Sequence, residues 1–209
     1  MRASDVPAPP PRSPPVAAFD RRVDDFFEAH LRGRPVLDHV FYGASALGDH
    51  GLLWHMLAVA RGLRTDEDWR AVARTSAAVG IESALVNGPV KWVFRRTRPV
   101  LDLPHALPLR RPRTSSFPSG HATSAFCAAA LLSDGDPAWQ PVYYALALIV
   151  ATSRVYVRIH HPSDVVGGIG IGVVLGAVGR RLLPLPARAA RARGGRHGIP
   201  QPLGRLHPV

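Results

Sequence analysis

VVGGIGIGVVLGAVG, residues 165–179, contains no charged side chain and is apolar all round. A helix on the surface of a water-soluble bundle needs an apolar stripe with polar residues opposite, and this run has no such second face. WQPVYYALALIVATS, residues 139–153, is also uncharged. Around them the chain reads as six apolar blocks, 36–48, 50–63, 71–93, 119–133, 138–157 and 164–183. Several fall short of the roughly 20 apolar residues of an ideal span, and Asp38, His39, Glu82 and Asn87 lie inside them. A soluble helical bundle is the alternative. The two uncharged runs favour an all-α bundle of six transmembrane helices in a cell membrane.

The glycines of the last block imitate a nucleotide-binding loop at GGIGIG, residues 167–172, but the order of strand, loop and helix is missing. Gly168, Gly172 and Gly176 recur every four residues, a spacing that lets two helices approach closely. Cys127, the single cysteine, excludes an intramolecular disulfide and reads as a small packing residue in an apolar segment.

The flanks differ from the body. Residues 1–15 are dominated by proline and predict a disordered tail rather than a secretory signal, which needs an apolar core segment and a small-residue cleavage site. Residues 16–35 predict a helix with Phe19, Val23, Phe26, Phe27 and His30 near one face, either interfacial on a membrane or capping a core. The body is expected over 36–183, and 184–209 as a basic disordered tail. The formal charge of +11 raises the question of nucleic acid. From Arg180 onward, however, arginines occur without a single acid, a pattern suited to an anionic leaflet, and no nucleic-acid partner is expected. With six crossings, both tails share one side with the 61–74 loop and its Arg61, Arg64, Arg70 and Arg74, cytoplasmic by the positive-inside rule. The loops 91–118 and 154–164 then face outward, although the first is itself strongly basic.

Three stretches carry the chemistry. In KWVFRRTRP, residues 91–99, a continued helix would stack Lys91, Arg95 and Arg98 before Pro99 ends or redirects it. Stacked cations repel unless an anion lies among them, though a membrane-flanking basic cluster is the simpler reading of this stretch alone. In PSGH, residues 118–121, a strong helix-forming run follows at once, so Ser119 and Gly120 stand at a helix N-terminus whose free N–H groups attract an anion. Ser119 is a donor there or a plain cap, and His121 a titratable proton donor beside it. SRVYVRIHHPSD, residues 153–164, supplies Arg154, whose planar fork suits phosphate oxygens. It also sets His160 four residues before Asp164, a carboxylate that can fix one imidazole tautomer and leave the other nitrogen nucleophilic. His161 is a rival neighbour.

Taken in order, the stretches follow K-x6-R-P, P-S-G-H and S-R-x5-H-x3-D without a departure, and over roughly 36–183 the chain resembles the type 2 phosphatidic acid phosphatase family. The resemblance implies an all-helical fold with an extracytoplasmic site and no catalytic metal or cofactor. It selects His160 over His161 as the nucleophile that forms a phosphohistidine, and makes His121 the acid for the leaving oxygen. Asp164 would orient His160, while Lys91, Arg98, Ser119, Gly120 and Arg154 would hold the phosphate. The implied substrate is a lipid phosphate or diphosphate: a polyprenyl phosphate or diphosphate, a phosphorylated polyprenyl sugar, or phosphatidate. A lipid phosphotransferase shares the first half-reaction, and a vanadium haloperoxidase, usually a longer soluble chain, shares the oxyanion pocket. A non-enzymatic tether for anionic lipid explains the charge but leaves the three motifs to coincidence.

Overall fold

A computed structural model describes residues 14–65, 68–99, 107, 109, 112 and 114–185. Of the tails expected over 1–15 and 184–209, residues 1–13 and 186–209 lie outside the described residues, as do Arg110, Arg111 and Arg113, while Pro15 already begins a helix. The described residues are helical and turn, with no strand: α1 (Pro15–His30), α2 (Pro35–Leu47), α3 (Leu52–Gly62), α4 (Trp69–Leu85), α5 (Lys91–Phe94), α6 (Gly120–Ser133), α7 (Gln140–Tyr156) and α8 (Pro162–Leu182). Each apolar block of the sequence thus contains a helix. The third block is broken, because Pro89 withholds a backbone donor and a π-helical turn at Val86–Val90 separates α4 from α5. α5 then stops at Arg95, whose φ of +40° is left-handed. The helical stack of Lys91, Arg95 and Arg98 is therefore not formed, and the Arg95 guanidinium lies over the Trp92 ring instead.

α6 is the central helix. Ala122, Ala125, Cys127, Ala128, Ala129, Ala130, Leu131 and Leu132 are all buried, as a helix apolar on every side requires. α8 lies against it through the glycine stripe. A Cβ at Gly168 would come within 2.6 Å of the Ser119 carbonyl oxygen, one at Gly172 within 2.4 Å of the Thr123 carbonyl oxygen, and one at Gly176 within 2.6 Å of the Ala130 Cβ. Any side chain at these positions would push the two backbones apart. This close approach also carries the bond from the Ser119 N–H to the Asp164 carbonyl, 3.0 Å, which joins the second and third sequence motifs.

At the opposite end, α6 finishes among buried arginines. Arg61 Nη1 donates to the Leu132 carbonyl at 2.6 Å and Arg74 Nη2 to the Leu131 carbonyl at 2.5 Å. These bonds satisfy acceptors that a helix C-terminus leaves open, where its dipole also favours a cation. Arg74 is further neutralised by Asp134 and Arg61 by Asp68.

Five helices, α3, α4, α6, α7 and α8, run between these two ends. α2 does not. Its Asp38 accepts from the Tyr156 hydroxyl, its Ser45 accepts from Arg154, and the Gly48 that follows sits against His121, so both ends of α2 remain at the end that holds the motifs. α1 is at that end too: Arg32, just beyond it, donates to the Tyr156 carbonyl and its Asp20 accepts from Ser163. The described N-terminal segment is therefore not beside the 61–74 loop, as the even-span reading expects, because α2 turns back instead of crossing.

The outer faces are apolar. Met56, Ile81, Leu148, Val166, Val173, Val174 and Val178 are exposed on α3, α4, α7 and α8. A water-soluble bundle would place polar side chains there, whereas a bilayer accepts them. α8, with 21 residues and a mean hydropathy of 1.6, is the one described helix long and apolar enough to cross unaided.

Candidate active site

Motif residues from all three stretches meet in one cavity of about 270 Å³, whose lining includes Lys91, Gly120, His121, Arg154 and His160. Arg154 occupies the last turn of α7 and is 1 % exposed. One arm of its guanidinium donates to the Ser45 hydroxyl, while Nε and Nη2 have no partner among the described residues. Two adjacent N–H groups on a planar cation match two oxygens of a tetrahedral anion.

The backbone sets the spacing between Arg154 and His160. After α7 the chain reverses through residues 157–161, and the Arg154 carbonyl accepts from the N–H of both Ile159 and His160 at 3.1 Å. Arg158 takes a left-handed φ of +55° in this reversal. The His160 ring is thereby turned so that Nε2 lies 3.2 Å from Arg98 Nη1 while Nδ1 lies 3.7 Å from the Asp164 carboxylate. That second distance exceeds a hydrogen bond but keeps the carboxylate on the Nδ1 side, which favours a proton there and leaves Nε2 unprotonated toward the cations. Burial pushes the imidazole well below its ordinary range, to about 3, against the opposing pull of Asp164. Burial thus favours the neutral ring.

Asp164 is enclosed and held from several directions. Arg96 donates to Oδ1 at 2.6 Å, and the Ser116 hydroxyl and His161 N–H donate to Oδ2 at 2.5 and 2.9 Å. His161 is the N-cap of α8, its side chain accepting from the helix backbone while Asp164 accepts from its N–H. The rival histidine is thus engaged in starting a helix. His121, in the first turn of α6, is pinned by Nε2 between the Ser45 carbonyl and Asp49, both at 3.1 Å.

Arg98 contacts Thr114, Ser115, Ile159 and His160, and so links its own loop to the 157–161 reversal. Lys91 Nζ donates to Asn87 Oδ1 at 2.9 Å and lies 3.5 Å from the Thr114 hydroxyl. Its ammonium is pushed down to about 8, first by burial and then by the nearby charges of Arg98 and Arg154. Gly120 has ordinary helical backbone. Its worth is closeness, since a Cβ would stand 3.3 Å from Asn87 Oδ1. Ser119 is fully buried, and its hydroxyl accepts from the Ala122 N–H at 3.4 Å as a helix cap. It does not line the cavity.

Sequence reasoning singles out neither Ser45, Asp49 nor Arg96 as site residues. Glu82, noted only as a polar interruption, is buried in α4 and accepts from the Ser124 hydroxyl, one turn beyond His121. The contacts of Arg96 with Asp164 and of His121 with Ser45 span 68 and 76 residues, and no local pattern announces them.

An apolar-faced helical bundle with buried cations around two histidines is the architecture of an integral membrane phosphatase. The family model for the PAP2 superfamily matches residues 72–185, more than half of the chain, and the chain belongs to that superfamily. It is 34 % identical over 155 residues to the decaprenylphosphoryl-5-phosphoribose phosphatase of Mycobacterium tuberculosis, covering 72 % of this chain and 83 % of that one. The enzyme of the same name from Mycolicibacterium smegmatis is 37 % identical over 148 residues, covering 68 % and 76 %. Among solved structures, the transmembrane PAP2-type phosphatidylglycerolphosphate phosphatase of Bacillus subtilis aligns with a TM-score of 0.60 and 26 % identity over 82 % of this chain and 87 % of that one. LpxE of Aquifex aeolicus aligns with a TM-score of 0.60 and 27 % identity over 76 % and 94 %. The all-α fold and the phosphatase class expected from the sequence stand, and the protein is a membrane protein.

Lys91 generates a prediction. Its charge is lost in the free protein as pH rises through about 8, so kcat/KM for a phosphate ester should fall on that limb. In Lys91→Arg the guanidinium stays protonated and the limb should move beyond about pH 10. A pH–rate profile of the two proteins checks this, and a limb unmoved by the substitution assigns it to another group.

Proposed function

We propose that this chain is a phosphatase for a polyprenyl-linked sugar phosphate, working through a phosphohistidine on His160. The observation that carries the reading is the shared cavity of His160, His121, Lys91 and Arg154, a buried cation whose Nε and Nη2 have no partner among the described residues. The substrate class is supported by the mycobacterial relatives, which are named for a decaprenylphosphoryl phosphoribose.

In this mechanism Arg154, Arg98 and Lys91 hold the phosphate oxygens. Nε2 of neutral His160 attacks phosphorus as the bond to the sugar oxygen breaks, and that oxygen takes its proton from His121. Asp164 stabilises the positive charge that develops on His160, and Asp49 does the same for His121 in its protonated state. Water, giving a proton to His121, then attacks the phosphohistidine, the P–N bond breaks, and inorganic phosphate leaves. The cations gain most where charge spreads over the equatorial oxygens, so preorganisation lowers the barrier of both steps.

Detergent-purified protein should release phosphate from a polyprenylphosphoryl pentose 5-phosphate faster than from phosphatidate. His160→Ala should lower turnover by about 10³-fold or more, the usual loss on removing a nucleophile. His161→Ala should retain most activity. A dead His161→Ala with an active His160→Ala would shift the nucleophile by one residue, and phosphatidate as the better substrate would overturn the proposed class.

We place the site on the extracytoplasmic side of a multi-pass protein, with Arg61, Arg64, Arg70, Arg74, Arg180 and Arg181 at the cytoplasmic end. Ala29 on α1 and Ala138 between α6 and α7 are both exposed, at opposite ends of the bundle. In a Cys127→Ala background, Ala29→Cys should react with a membrane-impermeant thiol reagent in intact cells and Ala138→Cys should not. The reverse pattern would turn the site inward.

A further inference from the structure

α1 lies outside the stretch matched by the family model, yet it reaches the site at both ends. Near its start, Asp20 is 6 % exposed. Its Oδ1 accepts from the Ser163 N–H at 2.8 Å, and its Oδ2 accepts from the Ser163 hydroxyl at 2.9 Å and from Arg96 Nη2 at 2.7 Å. The other arm of the same guanidinium, Nη1, donates to Asp164 Oδ1 at 2.6 Å. One arginine therefore bridges a carboxylate on α1 and the carboxylate that faces His160. At the far end of α1, Glu28 pairs with Arg158, and Arg32 donates to the carbonyls of Val155 and Tyr156 at 2.8 and 3.0 Å. The 157–161 reversal that carries His160 is thus pinned on both flanks by one helix.

We propose that α1 is a strap over the nucleophile loop, with Asp20 and Arg96 acting as positioning residues for Asp164. The inference rests on the reading of His160 as nucleophile and Asp164 as the group that orients it. The chemistry is specific. Arg96 is partly exposed, and Asp20 occupies the Nη2 arm that would otherwise be free to turn toward solvent. With both arms bonded, the guanidinium plane is fixed and Nη1 stays on Asp164. Ser163, bonded through N–H and hydroxyl to Asp20, holds the first turn of α8 in the same frame. An ion pair that merely docked α1 would need neither the shared arginine nor the bond to Asp164.

The test uses the full chain in detergent and a short-chain prenyl diphosphate as probe. Asp20→Asn and Arg96→Gln should each lower kcat by about tenfold, the worth of one charge-assisted hydrogen bond, with KM unchanged. Asp20→Asn added to Asp164→Asn should change kcat by less than about twofold, because both substitutions disable the same group. Wild-type rates in both single variants, or a tenfold loss that persists in the Asp164→Asn background, would reduce α1 to a docking element and overturn the proposal. Should Arg96→Gln not fold, Ser163→Ala takes its place in the cycle with the same expectation. A wild-type chain that releases no phosphate from this probe or from the polyprenyl substrates fails the phosphatase reading itself, a result distinct from either outcome above.

Discussion

A buried guanidinium at the wall of a cavity, with Nε and Nη2 left without a partner among the described residues, is the constraint on which the rest of the structure depends. Removing an ion from water costs several kcal/mol even after relaxation, and Arg154 is offset by one hydroxyl partner, Ser45, by the charge of Asp49 and by the carbonyl end of its own helix. Such a group persists only if its neighbours are fixed by other forces. The supply of those forces is visible: the glycine stripe that seats α8 on α6, and the return of the chain onto the Arg154 carbonyl, which ties the nucleophile candidate to the cation it must work with.

The two ends of the bundle use arginine in opposite ways. Arg61 and Arg74 are each paired with a carboxylate and bonded to a closing carbonyl of α6, and they serve stability. Arg154 is only partly bonded and is suited to binding. Charge alone does not separate these roles; the number of satisfied N–H groups does. Arg96 is a third case, bonded through each arm to a carboxylate, and therefore suited to hold a neighbour in place.

Much of this was legible in the residues. The apolar blocks gave the helices because lipid-facing and core-facing helices are apolar regardless of partner, and the three motifs named the cations and histidines of the cavity, Lys91, His121, Arg154 and His160, but not the Gly48–Gly51 turn, Ser83, Asn87 or Ser124 that line it with them. The spacing of Gly168, Gly172 and Gly176 gave the α6–α8 contact because packing of that kind is periodic in sequence. What escaped was tertiary. Asp20 looked like one more charge on an amphipathic helix and Arg96 like one more flanking cation, because contacts across 76 and 143 residues have no period. The stacking of Lys91 with Arg95 and Arg98 failed because it assumed a helix that Arg95 ends. The expected crossing of α2 failed for a similar reason, since Tyr156 and Arg154 hold it at the site end through Asp38 and Ser45.

The most direct measurement is a structure of the protein soaked with vanadate, which adopts the five-coordinate geometry of phosphoryl transfer. The geometry predicts vanadium bonded to Nε2 of His160, with vanadate oxygens in hydrogen-bond contact with Nε or Nη2 of Arg154 and with Lys91. Vanadium bonded to His161, or bound in the cavity without contact to Arg154, would contradict it.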